Sequence, residues 1–149
     1  KVSSKYPMIQ TESLLVDAAC MDLVRWPENF DVIVASNLFG DIMSDIAAVI
    51  TGSMGLAPSA NINPEREYPS MFEPVHGAGF DITGKGVANP IATFFAISMM
   101  LEHLGENDIA QKLNKAIISS LTTRNVLNPD LGGNASTSQV TDEIMSLMD

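Results

Sequence analysis

Phe30-Asp-Val-Ile-Val-Ala35, followed directly by Ser36-Asn37-Leu-Phe-Gly-Asp41-Ile-Met-Ser-Asp45, is the stretch on which the fold turns. Its first six residues are a β-branched run short enough for a buried strand. Ser36-Asn37 then begins a helix whose apolar residues recur at helical spacing to about Ile50, with Gly52 as its stop. Upstream, Met8-Ile-Gln10 suits a short strand, and Thr11 to Val24 carries helical spacing closed by Trp26-Pro27. Strand, helix, strand, helix in quick succession predicts an α/β architecture.

Downstream the character changes. Residues 52–69 gather Gly, Ser, Pro and Asn around Asn63-Pro-Glu-Arg-Glu67, a pattern that reads as a surface excursion. Ser70 to Val75 is expected as another strand, followed by the glycine-rich span Gly77 to Gly86. Asn89-Pro90 is a helix start, with Asn as the cap and Pro in the first turn, and the nearly all-apolar helix behind it stops at Gly105. Another helix covers about Asp108 to Leu121. After Pro129-Asp-Leu-Gly-Gly133, Ser136-Thr-Ser-Gln139 has the spacing of a capping box and opens a last helix.

Composition narrows the function. The 149 residues include 8 Lys plus Arg and 18 Asp plus Glu, a net charge of −10, with 46% hydrophobic residues. That apolar content opposes disorder. The scattered cations form no basic run, which excludes nucleic-acid binding through a positive face. A phosphate-bearing ligand must therefore be held by backbone amides, helix ends or a few placed groups. Cys20 is alone, so there is no intramolecular disulfide, and no Cys/His spacing suits zinc. A reducing cytoplasm is the expected setting. The longest apolar run, Pro90 to Leu101, is too short to span a bilayer, so no membrane partner is expected. The chain opens on Lys1-Val-Ser-Ser-Lys-Tyr-Pro7, which reads like the tail of an element, and a fragment of a longer protein is expected.

Two constellations could carry chemistry. Asp41 and Asp45 share one face of a helix, where like charges cost a few tenths of a kcal/mol unless a cation sits between them. All-oxygen ligation suits Mg²⁺ or Mn²⁺. The apolar neighbours Leu38, Phe39, Ile42, Met43 and Ile46 suggest that the pair is not on an open surface, although spacing alone also fits a solvated acidic face. Asp17 lies in the apolar Leu14-Leu-Val-Asp-Ala-Ala19 and is either a solvent-facing helix residue or a third ligand.

The second constellation is Phe72-Glu-Pro-Val-His76-Gly-Ala-Gly-Phe-Asp81, then Gly84-Lys-Gly86 and Asn89-Pro90. Small residues let backbone N–H groups close on a phosphate or ribose, and the next helix N-terminus adds positive potential. His76 could bind a polar ligand. Asp81 can accept ribose hydroxyls while repelling a 2′-phosphate, the logic of NAD preference. An ordinary glycine-rich loop remains the alternative. G-x-G-x-x-G fails after Gly77-Ala-Gly79, and the near P-loop from Gly79 to Lys85 ends in Gly86 instead of Ser or Thr. His103, in the last turn of its helix, reads as a surface cap.

Taken together, Asn37–Asp45, Gly55-Leu-Ala-Pro-Ser-Ala60, Glu73–Gly77, Gly84–Pro90, Met99–Gly105 and Asp130–Gly133 resemble the β-decarboxylating dehydrogenases of 2-hydroxy acids, the isopropylmalate and isocitrate dehydrogenase family. Within it, residues 60–70 and Phe80–Gly84 are most similar to the tartrate and D-malate dehydrogenase branch. The resemblance implies a three-layer α/β fold of the isopropylmalate dehydrogenase type, present in part, and not a Rossmann fold. Residues 1–51 would end a smaller dimer-forming domain, and 52–149 would form the C-terminal half of a larger NAD-binding one.

It further implies NAD-dependent oxidation of a 2-hydroxy dicarboxylate, tartrate or D-malate, followed by loss of the β-carboxyl as CO₂. Asp41 and Asp45 are then ligands of Mg²⁺ or Mn²⁺, with Asp17 reaching the partner's metal site in a homodimer. Glu73, His76, Gly77, Ala78, Gly79, Asp81 and Ile82 would line the adenosine end of the NAD site, and Asn89 would meet the adenine. The family's loop usually reads His-Gly-Ser/Thr-Ala-Pro-Asp; loss of a hydroxyl and a proline in His76-Gly-Ala-Gly-Phe-Asp81 implies a looser loop. The family's substrate arginines, catalytic Tyr and catalytic Lys have no counterpart here, so no catalytic residue beyond the metal ligands is expected and the chain alone should be inactive. The competing readings are isopropylmalate dehydrogenase, a non-catalytic regulatory subunit of an isocitrate dehydrogenase-type complex, and a stand-alone nucleotide-binding module.

Overall fold

A computed structural model describes residues 2–149, and the chain divides into two compact units, Lys1–Ala47 and Ala48–Asp149. In the first unit, α1 covers Val16–Arg25, and α2 covers Asn37–Ile50, so that the division falls in the last turn of α2. Ala19 and Leu23 of α1 bury against Met43 of α2, with Cys20, Phe30, Ile46 and Ala47 packed around them. These positions lie three or four residues apart, the spacing that puts one stripe of each helix toward the other.

Three expectations in this unit are corrected. Residues 8–10 form a turn and a bend, not a strand, with the Ile9 N–H donating to the Tyr6 carbonyl. The first helix starts at Val16 instead of Thr11, because Leu15 is still extended at its cap. Residues 30–35 belong to no sheet, and Val32 and Val34 are 83% and 94% exposed. A strand is defined by its ladder, and no second strand pairs with this run among the described residues.

The second unit is built around α3, Ile91–Leu104. One side of α3 packs on an antiparallel ribbon of β1 (Pro58–Asn61) and β2 (Met71–Pro74), and another side on α4 (Asn107–Thr123). A helix covered from two directions needs apolar residues nearly all round, which is what Ile91-Ala-Thr-Phe-Phe-Ala-Ile-Ser-Met-Met-Leu101 supplies. The core joins Ile91, Leu113, Ala116, Ile117, Ala135, Val140 and Ile144. Ser98 lies buried where α3 faces α4, and its hydroxyl donates to the Ala110 carbonyl at 3.3 Å, which offsets its desolvation.

Ribbon register pairs Ser59 with Glu73 and Ala60 with Phe72. The surface excursion expected over 52–69 thus contains β1, whose Pro-Ser-Ala-Asn has no β-branched residue to announce it. The remainder of the excursion is strapped to the end of α3. Arg66, in the left-handed region at φ 59°, donates from its guanidinium to the His103 carbonyl. The His103 ring meets Phe72 in a tilted contact, centroids 5.6 Å apart, so this residue anchors a loop as well as ending a helix.

The last helix, α5, spans Thr137–Ser146 and opens on the expected capping box. The Ser136 hydroxyl accepts from Gln139 N–H, and the Gln139 side chain accepts from Ser136 N–H. Ser136→Ala is expected to cost about 1 kcal/mol, read as a lower urea midpoint with an unchanged slope; an unchanged midpoint would show that the box contributes nothing. No described helix is long and apolar enough to cross a membrane.

Candidate metal and cofactor sites

The helical register of α2 sets Asp41 and Asp45 one turn apart on the same face, and both carboxylates are exposed. Met43 and the half-buried Ile46 and Ala47 take the opposite side, toward α1. The expectation of an enclosed pair is corrected for the single chain: Leu38 and Ile42, on and beside the acidic face, are 66% and 45% exposed. The cause is that α1 packs against one stripe of α2 only. Asp17 stands exposed in the first turn of α1, its Oδ1 accepting from the Ala18 N–H at 2.8 Å. Its apolar neighbours in sequence do not bury it. No group of three acidic, His or Cys side chains able to hold a metal ion forms among the described residues. Asp41 and Asp45 are therefore brought together, and Asp17 is not joined to them within one chain. Two exposed carboxylates a turn apart remain a suitable donor set for a hard divalent cation.

The second site begins where the ribbon ends. Val75 N–H still donates to the Ala57 carbonyl at 2.9 Å, and the chain leaves the ribbon at His76. His76 is exposed, its Nδ1 3.0 Å from the Gly77 carbonyl oxygen. Gly79 turns the chain at φ 54°, and its carbonyl accepts from the Ile82 N–H and the Thr83 hydroxyl. A second turn follows, with Lys85 N–H donating to Ile82, and Gly84 and Gly86 also left-handed. Phe80 is 89% exposed, where the family pattern has a proline.

Glu73, His76, Gly77, Ala78, Asp81 and Ile82 all lie exposed along this run, with Gly79 half-buried in its turn. Ideal Cβ atoms at Gly77, Gly84 and Gly86 would meet nothing within 4 Å, so the surface is open for a ligand to approach the backbone. These residues fit a dinucleotide: main-chain N–H groups for phosphate, a carboxylate for ribose, and apolar surface for the base. The loop's exit is tied down by α5, since Thr137 donates through its N–H to Gly86 and through its hydroxyl to Ala88.

Asn89 differs from its neighbours in being buried. The cap position of α3 falls on Pro90, one residue later than expected, and Asn89 precedes it: its Oδ1 accepts from the Ile91 N–H at 3.0 Å, and its Nδ2 donates to Asp130 at 2.9 Å. Both ends of the side chain are thus engaged inside the protein. The residues missed by sequence reasoning are those that hold the site: Ser53, Gly55, Asp130 and Thr137. Gly55 and Asp130 lay inside stretches already matched to the family, but nothing in their spacing shows that they meet.

The isocitrate/isopropylmalate dehydrogenase family model matches residues 1–144. The chain belongs to that family of decarboxylating dehydrogenases. It is 52% identical over 144 residues to a probable tartrate dehydrogenase/decarboxylase of Agrobacterium vitis, covering 97% of this chain and 40% of the relative. It is 47% identical over 151 residues to the decarboxylating D-malate dehydrogenase of Escherichia coli, covering 99% and 42%. Among solved structures, isocitrate dehydrogenase from Methylococcus capsulatus superposes with TM-score 0.93 at 40% identity, covering 99% of this chain and 43% of that one. The chain spans about two fifths of the length of the curated relatives it matches. Its fold is therefore a partial isopropylmalate dehydrogenase-type α/β fold, as expected from the residues.

Proposed function

We propose that this chain is the C-terminal part of an NAD- and divalent-metal-dependent oxidative decarboxylase of a 2-hydroxy dicarboxylic acid, tartrate or D-malate, working in the cytoplasm. The observation that carries the reading is the coexistence of a paired carboxylate face, Asp41 and Asp45, with an open glycine-lined run from His76 to Ile82. When bound, Mg²⁺ or Mn²⁺ supplies Lewis acidity to the hydroxyl and carbonyl oxygens of the substrate, and NAD accepts the hydride.

The chain's own residues bind and orient. Asp41 and Asp45 hold the cation with Asp17 of the partner subunit in a homodimer. The exposed Leu38 and Ile42 beside the pair support this reading, since apolar residues around a binding face are suited to cover by a second subunit. Residues 1–51 form the end of a dimer-forming domain and 52–149 part of the NAD-binding one. Glu73, His76 and the backbone of Gly77, Ala78 and Gly79 border the cofactor. Asp81 accepts the ribose hydroxyls, Ile82 packs on the adenosine, and Asn89 lies at the adenine end.

Calorimetric titration of the chain with NAD and NADP tests the cofactor half. NAD is expected to bind more than about tenfold tighter than NADP, because the Asp81 carboxylate repels a 2′-phosphate. Asp81→Ser should close most of that gap. Equal binding of the two by the native chain would contradict the role of Asp81, and failure of both to bind would remove the cofactor reading. The chain by itself is proposed to have no turnover, since the family's catalytic Tyr and Lys are absent; decarboxylation by the purified chain would overturn that.

A further inference from the structure

One oxygen of Asp130 gathers three distant parts of the second unit. It accepts from the Ser53 hydroxyl and from Asn89 Nδ2, the latter at 2.9 Å. The Ser53 hydroxyl in turn accepts from the Gly55 N–H at 2.9 Å, which ties the turn before β1 to the same carboxylate. Asn89 Oδ1 accepts from the Ile91 N–H at 3.0 Å. The three segments meet closely enough that a Cβ on Gly55 would lie 2.7 Å from Asn89 Cβ and 2.8 Å from Asp130 Oδ2. Glycine at 55 is what allows the convergence.

An Asn side chain has two chemically different ends that exchange on a half-turn about its last bond. A carboxylate only accepts, so only the NH₂ end can face Asp130. The Ile91 N–H only donates, so only the carbonyl end can face it. Acting together they allow a single orientation of Asn89. Asn89 is 8% exposed, which leaves little water to replace a lost partner.

We propose that Asp130 is a positioning residue for the cofactor site: it locks the amide of Asn89 in one orientation, and through it fixes the groups that the start of α3 offers to the adenine base. This rests on the reading of residues 76–89 as the adenosine end of an NAD site. It gives the Asp130-Leu-Gly-Gly133 turn, which is distant in sequence from the cofactor loop, a role in base selectivity.

Two readouts on the full chain separate the two claims. The first is the Asn89 side-chain amide in nitrogen–proton NMR spectra. In the native chain, one of its protons should be shifted downfield and protected from exchange. Asp130→Ala should erase both features. Asp130→Asn, which keeps an acceptor oxygen without the charge, should move the resonance but retain protection. Ser53→Ala, which removes the other donor, should leave the Asn89 pair in place. The second readout is binding of NAD, of its hypoxanthine analogue and of nicotinamide mononucleotide, which has no adenine. Asp130→Ala should weaken NAD roughly tenfold or more, reduce the preference for NAD over the hypoxanthine analogue, and leave the mononucleotide unchanged.

A purely structural role for Asp130 would weaken all three nucleotides alike, and that result overturns the proposal. So does an Asn89 pair that both Asp130 variants leave in place. Should Asp130→Ala not fold, Asp130→Asn decides: an unmoved Asn89 resonance counts against the proposal. If the native chain binds no nucleotide, the cofactor reading falls, and the amide spectra still decide whether Asp130 orients Asn89.

Discussion

Asp41→Asn is expected to weaken Mn²⁺ binding strongly, measured by calorimetry or by the electron-spin signal of free Mn²⁺, while α2 remains folded. The two effects have different origins. Asp41 is exposed and makes no side-chain bond among the described residues, so the isosteric amide should change stability by no more than about 0.5 kcal/mol. It also relieves the like-charge pair with Asp45, a gain of a few tenths of a kcal/mol. The cation loses one of two charged oxygen donors supplied by α2, and affinity for hard divalent ions depends steeply on the number of charged ligands. A fall of about a hundredfold is expected, with Asp45→Asn behaving alike. A solvated acidic face would instead bind Mn²⁺ weakly, with little change in either variant, and that outcome would end the metal reading.

Gly133→Ala should be the most damaging single methyl in the second unit. A Cβ there would sit 2.0 Å from the Leu127 carbonyl oxygen and 2.5 Å from its carbon. Both are backbone atoms, so no side chain can swing aside. The carbonyl that would be struck accepts from the Ala135 N–H at 2.9 Å, and Ala135 belongs to the core with Ile117 and Val140. Relief of the clash must therefore move the chain that leads into α5. A cost of about 3 kcal/mol is expected, which for a chain of this size corresponds to a melting temperature lower by roughly 10 °C. Gly132→Ala is a useful contrast. Its Cβ would meet nothing within 4 Å, but its φ of 81° is strained for any side chain. It should cost about 1–2 kcal/mol, and a melting temperature for Gly133→Ala above that of Gly132→Ala would contradict the close-approach argument.

Local signals were legible wherever one segment carries its own reasons. Helix α2 begins at Asn37 and ends at Ile50 as its spacing indicates. Helix α3 ends on Gly105 in the left-handed conformation, and α5 opens on the Ser136–Gln139 box. In each case capping chemistry and periodicity lie within a few residues of one another. Strands were harder to read. Residues 30–35 have the composition of a buried strand yet pair with nothing described, while β1 pairs fully with a composition that predicts a loop. Whether a run is a strand depends on a second run elsewhere, so composition alone misjudged both.

The site divides in the same way. Sequence alone determined that Asp41 and Asp45 share a helix face, because helical geometry makes neighbours of residues four apart. It also determined that the run from His76 to Gly86 is small and backbone-rich, and, through matched stretches across the chain, that the family is one of decarboxylating dehydrogenases. Only the tertiary structure decided that Asp17 stays exposed and apart from any three-residue metal group within one chain, and that Asn89 is buried with both amide ends engaged. Only it joined Asp130 to residues 77 and 41 positions away. Such meetings depend on how α3, the ribbon and the turn before α5 pack, and packing is a property of the whole unit that no short window of sequence contains.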